Sequence, residues 1–105
     1  MMPWTVEFTT EAKNDMRDLS RTQRFQINKA ITKVSKNPLP NSEGGYGKPL
    51  GKKGATTLTG LLKIKLLKLE IRVVYKLVRV DKIMKIIVVA ARADDEVYDI
   101  ASKRS

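Results

Sequence analysis

The chain contains no cysteine and no histidine. Lacking cysteine, it has neither a disulfide scaffold nor a thiolate metal site. Lacking histidine, it has lost the usual general base near neutral pH and the commonest metal ligand. Any catalysis must run on Lys, Arg, Tyr, Asp or Glu, and any metal would need carboxylates alone. Aromatic residues are only 6% of the chain, and Trp4, Phe8, Phe25 and Tyr75 are expected in the core. Proteins that read single-stranded bases display exposed aromatics, so contact with phosphates fits this chain better than base reading. No apolar run approaches the roughly 18–20 residues that cross a bilayer. The opening Met-Met-Pro-Trp shows no basic stretch followed by an apolar one, so no secretion signal is visible. A cytoplasmic location without a membrane partner is expected.

Acids are also scarce. Against 21 Lys and Arg stand 11 Asp and Glu, a formal net charge of +10. Such an excess favours an anionic partner: nucleic acid, an acidic membrane surface or an acidic protein. With 105 residues and 42% hydrophobic content, residues 1–105 are expected to form one domain around a single modest core.

Trp4–Phe8 alternates as a short strand. Thr9 or Thr10 offers an N-cap, and Ala12, Met16 and Leu19 follow at helical spacing. Ser20 and Gln23 form a capping-box pair opening a second helix. Its inner stripe is Ile27, Ile31 and Val34 with Phe25 and Ala30 beside it, and Pro38 and Pro40 end it. A long loop rich in Gly, Pro, Ser, Lys and Thr then runs from Asn37 to about Gly60; loops of this length are usually functional or mobile. Three strands are expected at Leu61–Leu66, Ile71–Val78 and Ile83–Ala90. Asp94 or Asp95 then caps a short helix turning Val97, Ile100 and Ala101 inward. The order β-α-α-β-β-β-α gives an α+β fold, a small antiparallel or mixed sheet with an N-terminal helical hairpin on one face and a short C-terminal helix.

Side chains alternate between the faces of a strand. With Leu62, Ile64 and Leu66 in the core, Lys63 and Lys65 share the other face. With Ile71, Val73 and Tyr75 in the core, Arg72 joins them. A two-residue turn at Lys68-Leu69 would set Lys65 directly opposite Arg72. Like charges facing across an antiparallel pair are destabilising, and a phosphate bound between them would relieve that. Alternating Lys and Arg can also simply solvate an exposed sheet face, and a helical Tyr such as Tyr98 commonly belongs to a core.

Lys63-Ile64-Lys65-Leu66, Arg72-Val73-Val74-Tyr75, then Arg92 and Glu96-Val97-Tyr98, with Lys48-Pro49-Leu50-Gly51 ahead of the sheet, resemble the RelE branch of the RelE/ParE toxin superfamily along nearly the whole chain. That resemblance implies the toxin of a type II toxin–antitoxin system: a ribosome-dependent, metal-independent mRNA endonuclease without a small-molecule cofactor. It would cut mRNA in the A site of the small ribosomal subunit by attack of a 2′-hydroxyl on the adjacent phosphate, inhibiting translation. The implied partners are a cognate antitoxin, the ribosome and mRNA. The implied catalytic set is Lys63, Lys65, Arg72, Arg92 and Tyr98, with Lys48, Lys52, Lys53, Lys68 and Lys76 as RNA- or ribosome-contacting lysines. Arg72 and Lys65 suit the phosphorane's charge, one as a planar fork and the other as a point charge. Tyr98 and Lys63 are the proton handlers in a chain without histidine, and the residues leave open which is the base. By resemblance, Arg92 helps protonate the leaving group.

Three features depart from the family pattern. The loop before Lys63 is longer, Glu70 stands where a glycine is more usual, and Asp94, Asp95 and Glu96 cluster near Arg92 and Tyr98. These acids suit the start of a helix; facing the site, they would oppose RNA. The alternatives are a ParE-like toxin poisoning gyrase, which would generally lack the full five-residue set, and a non-catalytic basic RNA-binding module.

Overall fold

The computed structural model describes residues 3–50, 60–92 and 94–104. Among the described residues the expected elements follow in order, with one strand added ahead of the last three strands: β1 (Thr5–Phe8), α1 (Thr10–Arg17), α2 (Arg21–Ser35), β2 (Lys48–Pro49), β3 (Leu61–Leu66), β4 (Ile71–Val78), β5 (Ile83–Ala90) and α3 (Asp94–Arg104). Short-range chemistry sets the helix starts. The Thr9 side chain accepts the Ala12 N–H at the head of α1. Ser20 and Gln23 close a reciprocal capping box on α2, satisfying two backbone donors that the helix leaves over. The strand expected over Trp4–Phe8 begins one residue later.

The sheet order is β1-β5-β4-β3-β2. β1 runs parallel to β5, and the other neighbours are antiparallel, so the sheet is mixed. Lys65 pairs with Arg72, the register expected. The connection is longer than two residues, however. A 3-10 turn over Leu67–Leu69 ends on Glu70 in the left-handed region at φ 54°, the conformation glycine adopts without cost. β2 was not foreseen. It marks an ordered portion of what reads in sequence as one long loop, while Lys52, Lys53, Gly51 and Gly54 lie outside the described residues.

Two cores sandwich the sheet. On one face Ala12, Ile27, Ile31 and Val34 from the hairpin meet Leu62, Ile71, Val73, Tyr75, Met84, Ile86 and Val89. On the other, Val97, Tyr98 and Ala101 of α3 meet Leu50, Leu61, Val74, Ile87 and Val88. The hairpin lies on one face, as expected, and α3 covers the centre of the opposite face, the one that carries the basic residues. The register shift between Val74 and Tyr75 leaves Ile87 as an extra residue in β5. This bulge turns both Ile87 and Val88 toward α3 and returns Val89 to the hairpin side. Phe25, expected in the core, is instead 64% exposed. It stands two residues before Ile27, about 200° around the helix, so it faces solvent. The acids Asp94 and Asp95 occupy the first turn of α3 rather than preceding it.

β1 ends at Phe8, which leaves the edge of β5 beyond Ile86 without a strand neighbour. An ion pair fills that place. The Asp15 carboxylate accepts the Val89 N–H at 3.0 Å, and Arg104 donates to the Ile87 carbonyl at 2.9 Å. The two side chains meet at 2.7 Å and are mostly covered. The Asp15 hydrogen bond also raises the Arg104 pKa above its ordinary value. Backbone groups that would otherwise need water are satisfied, and α1 and α3, from opposite faces, are tied to one strand.

Tyr75 anchors the connection after α2. Its buried hydroxyl donates to the Pro38 carbonyl at 2.9 Å, and a Cβ on Gly47 would come within 2.5 Å of that oxygen, so only glycine fits there. Burial pushes the Tyr75 pKa well above its ordinary value of 10. The folded state thus favours the neutral phenol, and its contribution is fully present below pH 10 and falls as pH rises toward the folded-state pKa. Tyr75→Phe is expected to cost about 1 kcal/mol at neutral pH through the lost hydrogen bond and to lose stability less steeply above pH 10. Denaturant unfolding of both proteins across that range is the check. Parallel slopes would show that Tyr75 does not drive the alkaline loss.

Candidate active site

Cross-strand register builds the site. Residues alternating with the hairpin-side core project toward α3, and three of the resulting pairs join like charges. Lys48 faces Lys63, Lys65 faces Arg72, and Lys76 faces Lys85. Side chains paired in this way stand about 4.5–5.5 Å apart at Cβ. α3 lies over the apolar middle of this face, at Leu61, Val74 and Val88. The pair Lys65 and Arg72 sits toward the turn that ends β3, and Lys76 and Lys85 sit toward the opposite end of the strands.

Around Lys65 and Arg72 the side chains are held in place. Arg72 Nη1 donates to the Arg92 carbonyl at 2.6 Å and to the Glu70 carbonyl at 3.4 Å. The guanidinium thereby ties the β3–β4 turn to the segment leaving β5. Arg72 and Arg92 line one cleft of about 330 Å³ with Leu69, Glu70 and Ala91. Lys63 Nζ donates to Tyr98 Oη at 2.6 Å. The ammonium is 5.2 Å from the ring centre, so it sits at the hydroxyl end and not over the ring face. The Tyr98 ring itself is buried among the α3-side residues. One residue thus both seals the second core and presents an oxygen to a lysine.

Glu96 contacts Arg92 at 3.2 Å, and both side chains are more than half exposed. Exposed pairs four residues apart contribute about 0.3–0.5 kcal/mol, which a phosphate can readily displace. Of the acidic cluster, Glu96 does face the site; the side chains of Asp94 and Asp95 lie outside the described residues.

The structure places Lys63, Lys65, Arg72, Arg92 and Tyr98 on the α3 side of the sheet or at its end. Lys48 lies on the edge strand beside Lys63, and Lys76 lies on the same face beyond α3. Lys68 is different: it projects from the 3-10 turn toward a groove beside α2. Sequence reasoning passed over Lys85 as a binding residue, although a single charge in the apolar run Ile83–Ala90 was its signal. The Asp15–Arg104 pair left no local signal.

Neither a protein-family profile nor a curated protein matches the chain. Solved structures do. A mutant of the E. coli toxin RelE in the free state superposes with a TM-score of 0.74 at 26% identity, covering 98% of each chain. The toxin of the RelBE2 toxin–antitoxin complex of Mycobacterium tuberculosis superposes at 0.69 with 27% identity, over 90% of this chain and 97% of that one. The RelE–RelB complex of Pyrococcus horikoshii, at 18% identity and a TM-score of 0.60, shares the fold over 89% of this chain and 99% of its own. The chain has the fold of RelE-type toxins. Its structural neighbours are RelE toxins and toxin–antitoxin complexes, which supports a type II toxin.

The double role of Tyr98 separates two substitutions. Tyr98→Phe keeps the ring and should cost about 1 kcal/mol, whereas Tyr98→Ala opens the α3-side core and should cost about 3–4 kcal/mol. Urea unfolding of both variants tests this. Equal losses would mean that the ring is not structural.

Proposed function

We propose that this chain is a ribosome-dependent mRNA endonuclease, the toxin of a type II toxin–antitoxin pair, which cuts in the A site by attack of a 2′-hydroxyl on the adjacent phosphate. The observation that carries the reading is the pairing of Lys65 with Arg72 beside Arg92, with the Lys63–Tyr98 hydrogen bond on the same face, in a fold shared with RelE toxins.

The chemistry follows from these positions. The scissile phosphate sits over Lys65 and Arg72. As the 2′-oxygen attacks phosphorus, negative charge builds on the phosphorane oxygens, where fixed cations stabilise it more than they stabilise the ground state. One Arg72 nitrogen is committed to the Arg92 carbonyl, which fixes the plane of the fork that faces the phosphate. The Lys63–Tyr98 pair, in the form that has given one proton to solvent, takes the 2′-hydroxyl proton. The bond from phosphorus to the 5′-oxygen breaks, and that oxygen takes a proton delivered through the Arg92 guanidinium, which recovers one from solvent. The products are a 2′,3′-cyclic phosphate and a free 5′-hydroxyl. Incoming phosphate competes with Glu96 for Arg92, and the ribosome holds the mRNA in line for attack. The lysines at positions 48, 52, 53, 68 and 76 serve contact with ribosomal RNA, and the neighbours crystallised with RelB support a cognate antitoxin as partner.

The test is to map mRNA ends after brief induction. Cuts within codons at a fixed phase of the reading frame are expected. They should disappear, together with growth arrest, in a folded Arg72→Ala/Arg92→Ala double variant. Undiminished toxicity in that variant, or arrest with intact mRNA and broken DNA, overturns the assignment.

A further inference from the structure

Tyr46 is 55% exposed, yet the backbone that carries it is closely fitted. Its N–H donates to the Asn37 carbonyl at 2.9 Å, Gly47 donates to Leu39 at 2.9 Å, and Asn41 donates to Gly47 at 2.8 Å. Glycine is required on both sides. A Cβ on Gly45 would collide with the Leu39 carbonyl, as one on Gly47 would with Tyr75. This order displays a ring that belongs to neither apolar core and whose hydroxyl has no hydrogen bond among the described residues. The fold holds the backbone tightly here and makes no use of the side chain.

Cations surround the ring. Lys33 Nζ lies 6.0 Å from its centre, at the limit of a cation–π contact. Lys36 follows three residues on, on the same side of the end of α2, and Lys48 stands two residues beyond Tyr46. Glu43 is the one acid between Asn37 and Leu50, and both outer nitrogens of Arg79 hold its carboxylate, at 2.9 and 2.7 Å.

We propose that Tyr46 is a stacking platform for an unpaired RNA base, with Lys33, Lys36 and Lys48 taking the phosphates on either side. A ring among lysines matches a nucleotide, because every base has a flat π-face and every linkage a negative charge. An aromatic anchor for a protein partner sits instead among packed apolar contacts that exclude water, and lysines occupy that place around Tyr46. With its backbone already fixed, the tyrosine has only two side-chain rotations to lose on binding. Lys33 of the hairpin places Tyr46 on the hairpin side of the sheet, whereas Arg72 and Arg92 stand at the end of the α3 side. A base on Tyr46 therefore belongs to RNA around the protein and not to the nucleotide being cut. Stacking is independent of the nuclease reading; that the RNA is ribosomal rests on it.

The test uses the full chain, isotope-labelled, with a single-stranded 2′-O-methyl RNA hexamer. This probe lacks the attacking hydroxyl, so binding is read whether or not the chain is a nuclease. Shifts are expected at the Tyr46 ring and at the amides of Tyr46 and Gly47. An abasic hexamer of equal charge should bind about fivefold more weakly or worse. Tyr46→Leu should lower the base-bearing hexamer to the abasic level while leaving abasic binding and the urea midpoint unchanged, and Tyr46→Trp should restore the difference. Binding of Tyr46→Leu to purified ribosomes should weaken by a similar factor. Shifts confined to the face around Lys65 and Arg72, or equal binding of the two hexamers, overturn the proposal. So does a Tyr46→Leu chain that keeps the parent's preference for bases or its ribosome affinity, or an acidic peptide that shifts Tyr46 where RNA does not.

Discussion

The ion pair between Asp15 and Arg104 governs how this small sheet is finished. β1 is only four residues long, so half of β5 would be left with a bare edge. Asp15 takes one backbone N–H of that edge and Arg104 serves one carbonyl, doing with two side chains what another strand would do with its backbone. Removing either partner would strand a largely covered charge, which is far more costly than losing an exposed pair. The position of the pair matters as much as its energy. Asp15 belongs to the hairpin on one face and Arg104 to the last turn of α3 on the other, so a single contact fixes both layers to β5.

The site inherits its geometry from that arrangement. An isolated helix of eleven residues is marginal in water, so α3 depends on its seat over Ile87, Val88 and Val74 and on the tether at its end. Once seated, it brings Tyr98 to Lys63 and Glu96 to Arg92. The β-bulge contributes as well, because it turns two consecutive apolar residues toward the helix. What α3 leaves uncovered is cationic at both ends. Three cross-strand pairs of like charge are poor sheet design taken alone, and they are what a phosphate-holding surface requires. Glu70, at positive φ, belongs to the same logic: its strained turn carries the carbonyl that helps to orient Arg72.

Much of this was legible in the sequence, and the reason is locality. The bounds of β3, β4 and β5 and the two helix caps follow from patterns a few residues long, and the Lys65–Arg72 register holds because the longer turn found has the same centre as the two-residue turn expected. Phe25 was misplaced because hydrophobicity was weighed above helical phase: two residues from Ile27 is the far side of the helix. The face chosen by α3 could not be read, since Val97, Ile100 and Ala101 would line an inward stripe against either side of the sheet. Asp15 and Arg104 lie 89 residues apart, and neither looks unusual on its own helix. The pairing of Glu96 with Arg92 is half visible in the sequence: acids stand near Arg92, but helix chemistry explains their presence equally well.

The central claim is that the Asp15–Arg104 contact holds α3, and with it Tyr98, in place. Native-state amide exchange on Arg104→Ala tests this most directly. The account predicts that amides of α3 from Val97 onward exchange many-fold faster than in the parent chain, along with Val89 at the bared edge, while Val73 and Tyr75 in the centre of the sheet keep most of their protection. α3 protection equal to that of the parent would contradict it, because the helix would then be held by its apolar seat alone.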